Sequence, residues 1–181
     1  MWAKLHLTIA GVWGARHLSD EAFHDVQLHC IGSVRGADDR ALLHELQELA
    51  RQLGIEEAVQ WRVNVPWAEL QAALGSAYMG LHTMWNEHFG IGVVEMLAAG
   101  VVTIAHHSGG PQTDIVQPAG AAGVGFLADT PQGYAQAMAA VLRGQVDVPK
   151  LVQRARAHVQ QFSDEAFEAR MKPLVDALLQ K

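Results

Sequence analysis

The stretch WNEHFGIGVVEMLAAG, residues 85–100, decides the class of fold. It begins with a glycine-containing turn and continues as an apolar segment, which predicts a helix. A short apolar run, residues 78–82, precedes it and predicts a strand. Strand, glycine turn and helix in this order are typical of one β-α unit of a parallel sheet.

The same alternation of short apolar runs and amphipathic segments continues along the chain. Strands are predicted at residues 26–31, 58–63, 78–82, 101–105 and 125–128, and helices at residues 38–53, 67–76, 89–99, 132–142, 149–161 and 164–179. Asp38 or Asp39 is the expected cap of the first helix, Gly54 its left-handed end, and Ser163 the cap of the last. These elements predict an α/β domain with a Rossmann-like parallel sheet and helices on both faces, in which helices from residues 149–181 pack on the sheet.

Composition excludes several classes of protein. The 181 residues are 50% hydrophobic and 18% charged, which is enough apolar sequence for one globular domain. A net charge of −6 without a run of Lys or Arg argues against nucleic acid as a partner. The single cysteine, Cys30, cannot form an internal disulfide, and no apolar stretch is long enough to cross a membrane. By itself, the chain is expected to be soluble.

Ligands of such sheets bind where the strands end, and two of the loops expected there are rich in glycine. One contains Gly90 and Gly92, and the other contains Gly109 and Gly110. Glycine lets the backbone approach a ligand closely, and the N–H groups at the start of a helix favour an anion. The sequence therefore predicts a phosphate-bearing ligand.

Two glutamates flank the first glycine turn, Glu87 before it and Glu95 eight positions later. If the helix begins near residue 89 or 90, the helical rise separates the two carboxylates by on the order of 10 Å. Retaining glycosidases need their two carboxyl groups about 5 Å apart, so hydrolysis fits poorly. Carboxylates accept hydrogen bonds from hydroxyl pairs, and a nucleotide sugar carries hydroxyls on both sides of its diphosphate. The pair is expected to bind opposite ends of such a ligand.

The motif Glu87-His-Phe-Gly-Ile-Gly-Val-Val-Glu95 resembles the Glu-x7-Glu signature of the retaining glycosyltransferases with the two-domain GT-B fold. The resemblance extends to Ser108-Gly-Gly-Pro111, to Asp114-Ile-Val116 and to residues 162–167. Within the family, the sequence is most similar to the members that transfer mannose from GDP-mannose, in α-1,2 linkage, to the dolichol-linked oligosaccharide of asparagine-linked glycosylation. The resemblance implies that this chain is the C-terminal, donor-binding half of the GT-B fold.

The resemblance also implies a role for each matching residue. Glu87 would lie by the transferred sugar and the reacting centre, and Glu95 would accept hydrogen bonds from the ribose. The remaining donor contacts are the backbone N–H groups of Phe89, Gly90 and Ile91 at the diphosphate, the residues Gly32, Ser33 and Asn64 near the base, Arg35 as a cation for the phosphates, and Gly109 and Gly110 in a loop near the sugar. No metal or other cofactor is implied.

The family carries an Arg–Lys clamp for the diphosphate and an acceptor-binding domain upstream, and neither is recognisable in this chain. The opening residues, 1–7, resemble the end of the helix that follows the family's first strand, and Lys4 does not match the clamp. We therefore expect a donor half truncated at its N-terminal side, inactive on its own. The resemblance places the full-length enzyme at the cytosolic face of the endoplasmic reticulum membrane, and the oligomeric state is open.

Two other functions remain as alternatives. Residues 90–95 begin like the dinucleotide fingerprint of an NAD-dependent oxidoreductase, but Glu95 stands where the third glycine belongs. A non-catalytic remnant that binds a nucleotide sugar, or a glycosyltransferase of other donor specificity, is equally compatible with the motifs. The ten histidines show no helical metal-ligand spacing, and a metal site is not expected.

Overall fold

Parallel strands form the centre of the structure, a computed structural model that describes residues 12, 14, 25–116 and 123–179. The described strands are β1 (Leu28–Gly32), β2 (Val59–Val63), β3 (Met79–His82), β4 (Val102–His106) and β5 (Phe126–Ala128). Each lies where the apolar runs predicted a strand, with ends that differ by at most two residues. The opening residues 1–7, interpreted above as the end of a helix, lie outside the described part of the chain.

The described strands pair as two parallel sheets rather than one. β1 pairs with β2, while β3, β4 and β5 pair in that order. An uncharged cavity of about 480 Å³ lies beside β1 and β3, and its lining includes Cys30, Leu81 and Met138. Burial raises the pKa of the Cys30 thiol to about 12, so this cysteine is an unreactive core residue.

Helices follow the strands as the periodicity predicted. They are α1 (Ala37–Gln52), α2 (Trp67–Ser76), α3 (Ile91–Ala99), α4 (Pro131–Leu142), α5 (Val148–Val159) and α6 (Asp164–Leu179). Short helical turns add Glu56–Ala58, Pro111–Val116 and Gln160–Phe162. Among the described residues, no helix is both long and apolar enough to span a membrane.

Adjacent residues of β4 point to opposite faces of the sheet, and each face is covered by helices. Ile104 packs in a core that contains Leu46 of α1 and Met138 of α4. Its neighbour Ala105 packs with Leu97 of α3 and Ala155 of α5. Because side chains alternate along a strand, this division shows helices on both faces, as expected for a doubly wound domain.

The predicted cap of α1 is wrong. The residue before the helix is Gly36, and neither Asp38 nor Asp39 caps it. The helix begins at Ala37, which moves Asp39 into the first turn, where its carboxylate accepts the backbone N–H of Arg35 at 2.9 Å. The predicted left-handed end is confirmed, since Gly54 has a φ of 67°.

The two C-terminal helices differ in how they pack. Helix α5 buries Leu151, Ala155 and Val159. In the described part of α6 no residue is buried, although Ser163 caps the helix as predicted by accepting the Ala166 N–H at 3.2 Å. The apolar side chains of α6 are exposed, including Phe167, Leu174 and Leu178.

The C-terminus of α3 ends against an arginine. Gly100 has a φ of 87°, in the left-handed region, and its missing Cβ would point into the guanidinium of Arg156. That guanidinium donates to the Ala99 carbonyl at 2.8 Å, so a positive charge lies at the negative end of the helix. Glycine at this position therefore permits both the turn and the cap.

Substituting Gly100→Ala should destabilise the domain more than Gly144→Ala. Gly144 also has a positive φ of 67°, but nothing lies within 4 Å of its missing Cβ, so it reports the backbone strain alone. We expect about 1 kcal/mol lost at Gly144 and about 1 kcal/mol more at Gly100, because the Arg156 hydrogen bond must break. Urea unfolding of both variants measures the difference, and equal losses would show that the arginine cap contributes nothing.

Candidate functional site

The candidate site is built from two loops that follow neighbouring strands. The first, the β3–α3 loop, is residues 83–90, and the second, the β4 loop, is residues 107–110. β3 and β4 are parallel, with His82 opposite Ala105, so both loops leave the same edge of the sheet. The two loops carry the predicted residues Glu87, Phe89, Gly90, Gly109 and Gly110.

Main-chain contacts hold these loops together. The Gly110 N–H donates to the Glu87 carbonyl at 2.8 Å. A Cβ on Gly109, whose φ is 57°, would overlap the Glu87 backbone. A Cβ on Gly110 would lie 2.5 Å from the carbonyl oxygens of His88 and Phe89. The two glycines predicted to lie near a sugar therefore also fix the backbone that carries Glu87.

Helix α3 presents unpaired donors at its start. Gly90 precedes the helix with a φ of 98° and lies against Pro111, which would be 3.2 Å from an added Cβ. In the described part of the chain, no group accepts the backbone N–H of Phe89, Gly90 or Ile91. Three consecutive N–H groups and the positive end of a helix dipole form a site suited to an anion.

The two glutamates flank the start of α3 along the chain. Glu87 is half-buried in the loop before α3, and Glu95 is exposed as the fifth residue of the helix. Among the described residues, neither carboxylate forms an ion pair or accepts a side-chain hydrogen bond. Both carboxylates are therefore available to accept hydrogen bonds.

A partly buried histidine, His82, lies near Glu87. Burial lowers the pKa of His82; the nearby Glu87 opposes that shift and His106 adds to it, so the imidazole is neutral at pH 7. Its Nδ1 is buried and has no hydrogen-bond partner among the described residues. The His82 carbonyl accepts the hydroxyl of buried Tyr134 at 3.1 Å, which anchors the end of β3 to α4.

Asn64, predicted to lie near the base, joins the loops after β1 and β2. It has a φ of 55°, and its amide accepts the Val34 N–H at 3.0 Å and donates to the Val34 carbonyl at 3.3 Å. Its own N–H donates to the Gly32 carbonyl at 2.9 Å. The side chain thus braces the segment that contains Gly32 and the exposed Ser33.

Arg35, the predicted cation, lies past the end of β1 and is 81% exposed. Its Nε is 3.4 Å from the Asp39 carboxylate, while the Arg35 backbone N–H is the main cause of a lowered Asp39 pKa. An exposed pair at this distance is weak, so the guanidinium can leave Asp39 for a stronger anion at little cost.

Sequence reasoning missed a polar link between the loops. The Ser108 hydroxyl accepts the Asn86 N–H at 2.8 Å and lies 2.8 Å from Nδ1 of the buried His106. Ser108 opens the motif Ser108-Gly-Gly-Pro111, but the sequence assigned it no role. A serine before two glycines at the end of a strand was the available signal, but the pairing with Asn86 spans 22 positions and requires the fold.

Phe89 and Asp114 have partners within the protein. The Phe89 ring meets Phe162 edge to face, with centroids 5.3 Å apart, which favours packing for this aromatic. The Asp114 carboxylate accepts the Thr113 hydroxyl at 2.6 Å. In the ranges that the structure describes, no cluster of three His, Cys, Asp or Glu side chains could hold a metal ion.

Comparison with known proteins shows a family and a fold. The family described as "Glycosyl transferases group 1" matches residues 13–162. A mouse protein named GDP-Man:Man(3)GlcNAc(2)-PP-Dol alpha-1,2-mannosyltransferase is 43% identical over 160 residues, which cover 88% of this chain and 32% of the relative. A protein of the same name from Xenopus tropicalis is 47% identical over 145 residues, covering 80% of this chain and 29% of the relative. The chain thus spans about a third of the length of these relatives.

Among solved structures, Anabaena HepE in complex with UDP superimposes with a TM-score of 0.76. The match has 17% sequence identity and covers 97% of this chain and 46% of the other. At that identity the likeness shows the fold alone, and it confirms the predicted GT-B class of α/β architecture.

Adding a methyl group at Gly109 should separate the two loops. Gly109→Ala forces alanine into a left-handed conformation and pushes it against Glu87, so we expect at least the 1–3 kcal/mol loss typical of such strain. Hydrogen exchange at the Gly110 amide should quicken, because its bond to the Glu87 carbonyl breaks. Gly92→Ala is the matched control, since nothing lies within 4 Å of its missing Cβ. Unchanged exchange at Gly110 in the Gly109 variant would contradict the contact.

Proposed function

Because the chain belongs to the glycosyl transferases group 1 family, we propose that it is the donor-binding part of a retaining mannosyltransferase. The donor is GDP-mannose, and the acceptor is a dolichol-linked oligosaccharide that receives mannose in α-1,2 linkage. The names of relatives 43–47% identical to this chain support that choice. Since the chain spans about a third of their length, the acceptor is bound by the part of the enzyme outside it.

One observation supports this proposal: the N–H groups at the start of α3, which no described residue accepts, are flanked along the chain by the available carboxylates of Glu87 and Glu95. A nucleotide sugar has a diphosphate between two sets of hydroxyls, and the site offers donors and acceptors in that same order. The diphosphate binds the N–H groups of Phe89, Gly90 and Ile91. Glu95 accepts hydrogen bonds from the ribose, and Glu87 contacts the sugar.

The rest of the donor lies along the two glycine-containing loops and the ends of β1 and β2. Gly109 and Gly110 approach the sugar, since no side chain stands between their backbone and the ligand. Arg35 leaves Asp39 and pairs with the phosphates. The base lies near Gly32 and Ser33, in the segment that Asn64 braces.

Transfer proceeds with retention of configuration. The bond from the anomeric carbon to the diphosphate oxygen breaks, and a bond to the acceptor hydroxyl oxygen forms on the same face. The leaving diphosphate takes the acceptor's proton. Glu87 stabilises the positive charge that develops at the anomeric carbon, and the N–H groups stabilise the negative charge that develops on the diphosphate. These donors act without a metal ion.

The chain alone binds the donor but does not transfer the sugar. Holding two reactants together can contribute about 7–11 kcal/mol to lowering a barrier, and the acceptor surface lies outside this chain. The complete enzyme works at the cytosolic face of the endoplasmic reticulum membrane, where the dolichol-linked acceptor is available. A domain that binds a nucleotide sugar without catalysis, or one with another donor, is the alternative.

The isolated chain should bind GDP and GDP-mannose in preference to UDP and NAD. Glu95→Ala should weaken binding of both guanine ligands about ten- to a hundredfold, because a charged hydrogen bond to the ribose is worth about 1.5–3 kcal/mol. Isothermal titration calorimetry measures all four affinities. Glu168→Ala, which removes an exposed glutamate on α6, is the control and should change none of them. Preference for NAD would contradict the proposed function. Preference for UDP would mean that the donor is a uridine nucleotide sugar and not GDP-mannose.

Substitution of the other glutamate, Glu87, should weaken only the binding of the sugar part of the donor. Glu87→Ala should leave GDP affinity unchanged and weaken GDP-mannose about tenfold or more, because its carboxylate faces the part of the donor that GDP lacks. The same titrations in parallel give both values. Equal losses for GDP and GDP-mannose would mean that the two carboxylates contact one group, contrary to their positions before and along α3.

A further inference from the structure

We propose that Ser108 is a positioning residue, which orients Glu87 towards the sugar by holding the Asn86–Glu87 turn. The inference rests on the proposed function of Glu87. It adds the residue that sets the orientation of the Glu87 carboxylate. Ser108 lies in the β4 loop, and its hydroxyl accepts the Asn86 N–H of the β3–α3 loop at 2.8 Å. Ser108 opens the motif Ser108-Gly-Gly-Pro111, for which the sequence predicted a role only at its two glycines.

A contact from outside the turn stabilises the conformation of Asn86. Its φ is 53°, a left-handed value that asparagine tolerates better than most residues but that still costs energy relative to the extended or right-handed regions. Such a conformation persists where surrounding contacts enforce it. The Ser108 hydroxyl supplies that contact directly at the Asn86 N–H, one residue before Glu87.

Ser108 is itself held in place by His106 at the end of β4. Its Oγ is 2.8 Å from Nδ1 of His106, which is 6% exposed at the end of β4. Its own N–H donates to the His106 carbonyl at 2.8 Å. A hydroxyl oxygen has two lone pairs and one hydrogen, so Ser108 can accept the Asn86 N–H and form a hydrogen bond with the His106 ring at the same time. The ring contact keeps the hydroxyl in place, with one lone pair directed at Asn86.

A second contact allows Ser108 to be tested without dismantling the site. The Glu87 carbonyl is held separately by the Gly110 N–H at 2.8 Å. When the serine hydroxyl is removed, the loop stays attached at Glu87 while the peptide before it is released. The carboxylate then loses its orientation, although the backbone that binds the diphosphate remains in place.

Nearby Thr113 provides a matched control. Its hydroxyl donates to the Asp114 carboxylate at 2.6 Å, and its oxygen lies 3.2 Å from the Gly109 carbonyl oxygen, so its contacts stay within its own turn. Thr113→Val removes a hydroxyl at nearly the same place in the chain without touching the β3–α3 loop. Ser108→Thr keeps the hydroxyl and serves as the rescue variant.

The experiment measures, by calorimetry on the full chain, how much more tightly GDP-mannose binds than GDP. We expect Ser108→Ala to reduce this ratio about tenfold, as loss of a charged hydrogen bond would, with GDP affinity unchanged. Ser108→Thr and Thr113→Val should retain the wild-type ratio. In a Glu87→Ala background, Ser108→Ala should cause no further loss, because both substitutions remove the same contact.

Hydrogen exchange separates positioning from general damage. In Ser108→Ala the Asn86 amide should exchange faster, while the Gly110 amide stays protected. If both amides lose protection, or GDP affinity falls with the ratio, Ser108 has only a structural role and the inference is wrong. A wild-type ratio retained by Ser108→Ala also overturns it and leaves the proposed function intact. A wild-type chain that binds neither ligand overturns the proposed function, and this inference with it.

Discussion

The site depends on one contact between main chains, the meeting of the β4 loop with the backbone of Glu87. A hydrogen bond from Gly110 and the bare Cα of Gly109 let two loops from neighbouring strands approach without side chains between them. The start of α3 and the orientation of its N–H groups follow from that approach, since Gly90 packs on Pro111 of the same segment. Glycine is thus needed on both sides of the contact.

Attraction of an anion to this site must come from groups close to it and not from the net charge of the protein. The chain has a net charge of −6, so its overall field repels an anionic donor, and the attraction must come from oriented N–H groups at short range. The one cation assigned to the phosphates, Arg35, is paired weakly with Asp39 and exposed. Such a site favours a ligand that also offers hydroxyl groups to Glu87 and Glu95, because phosphate binding alone has little electrostatic support.

The sequence predicted those features that depend on local pattern. Strand and helix positions followed from apolar periodicity, and the left-handed end at Gly54 followed from residue type. The cap of α1 was wrong because acidic residues are favoured in the first turn of a helix as well as at its N-cap, and both aspartates lie in that turn, after Gly36. Contacts between distant parts of the chain could not be predicted from local sequence pattern. Examples are Asn64 with Val34 and Ser108 with Asn86, since each pair is more than 20 positions apart.

The main-chain nature of the loop contact has a consequence for how specificity can change. His88 and Phe89 take part in it through their carbonyl oxygens, which every amino acid possesses, and both side chains are exposed. The backbone contact therefore does not depend on the side chain of His88, whereas the Phe89 ring also packs on Phe162. Gly109 and Gly110 have no such freedom. The β4 loop thus fixes the backbone at the start of α3 and leaves the side chain at residue 88 adjustable, so diversification of this loop is best directed at residue 88.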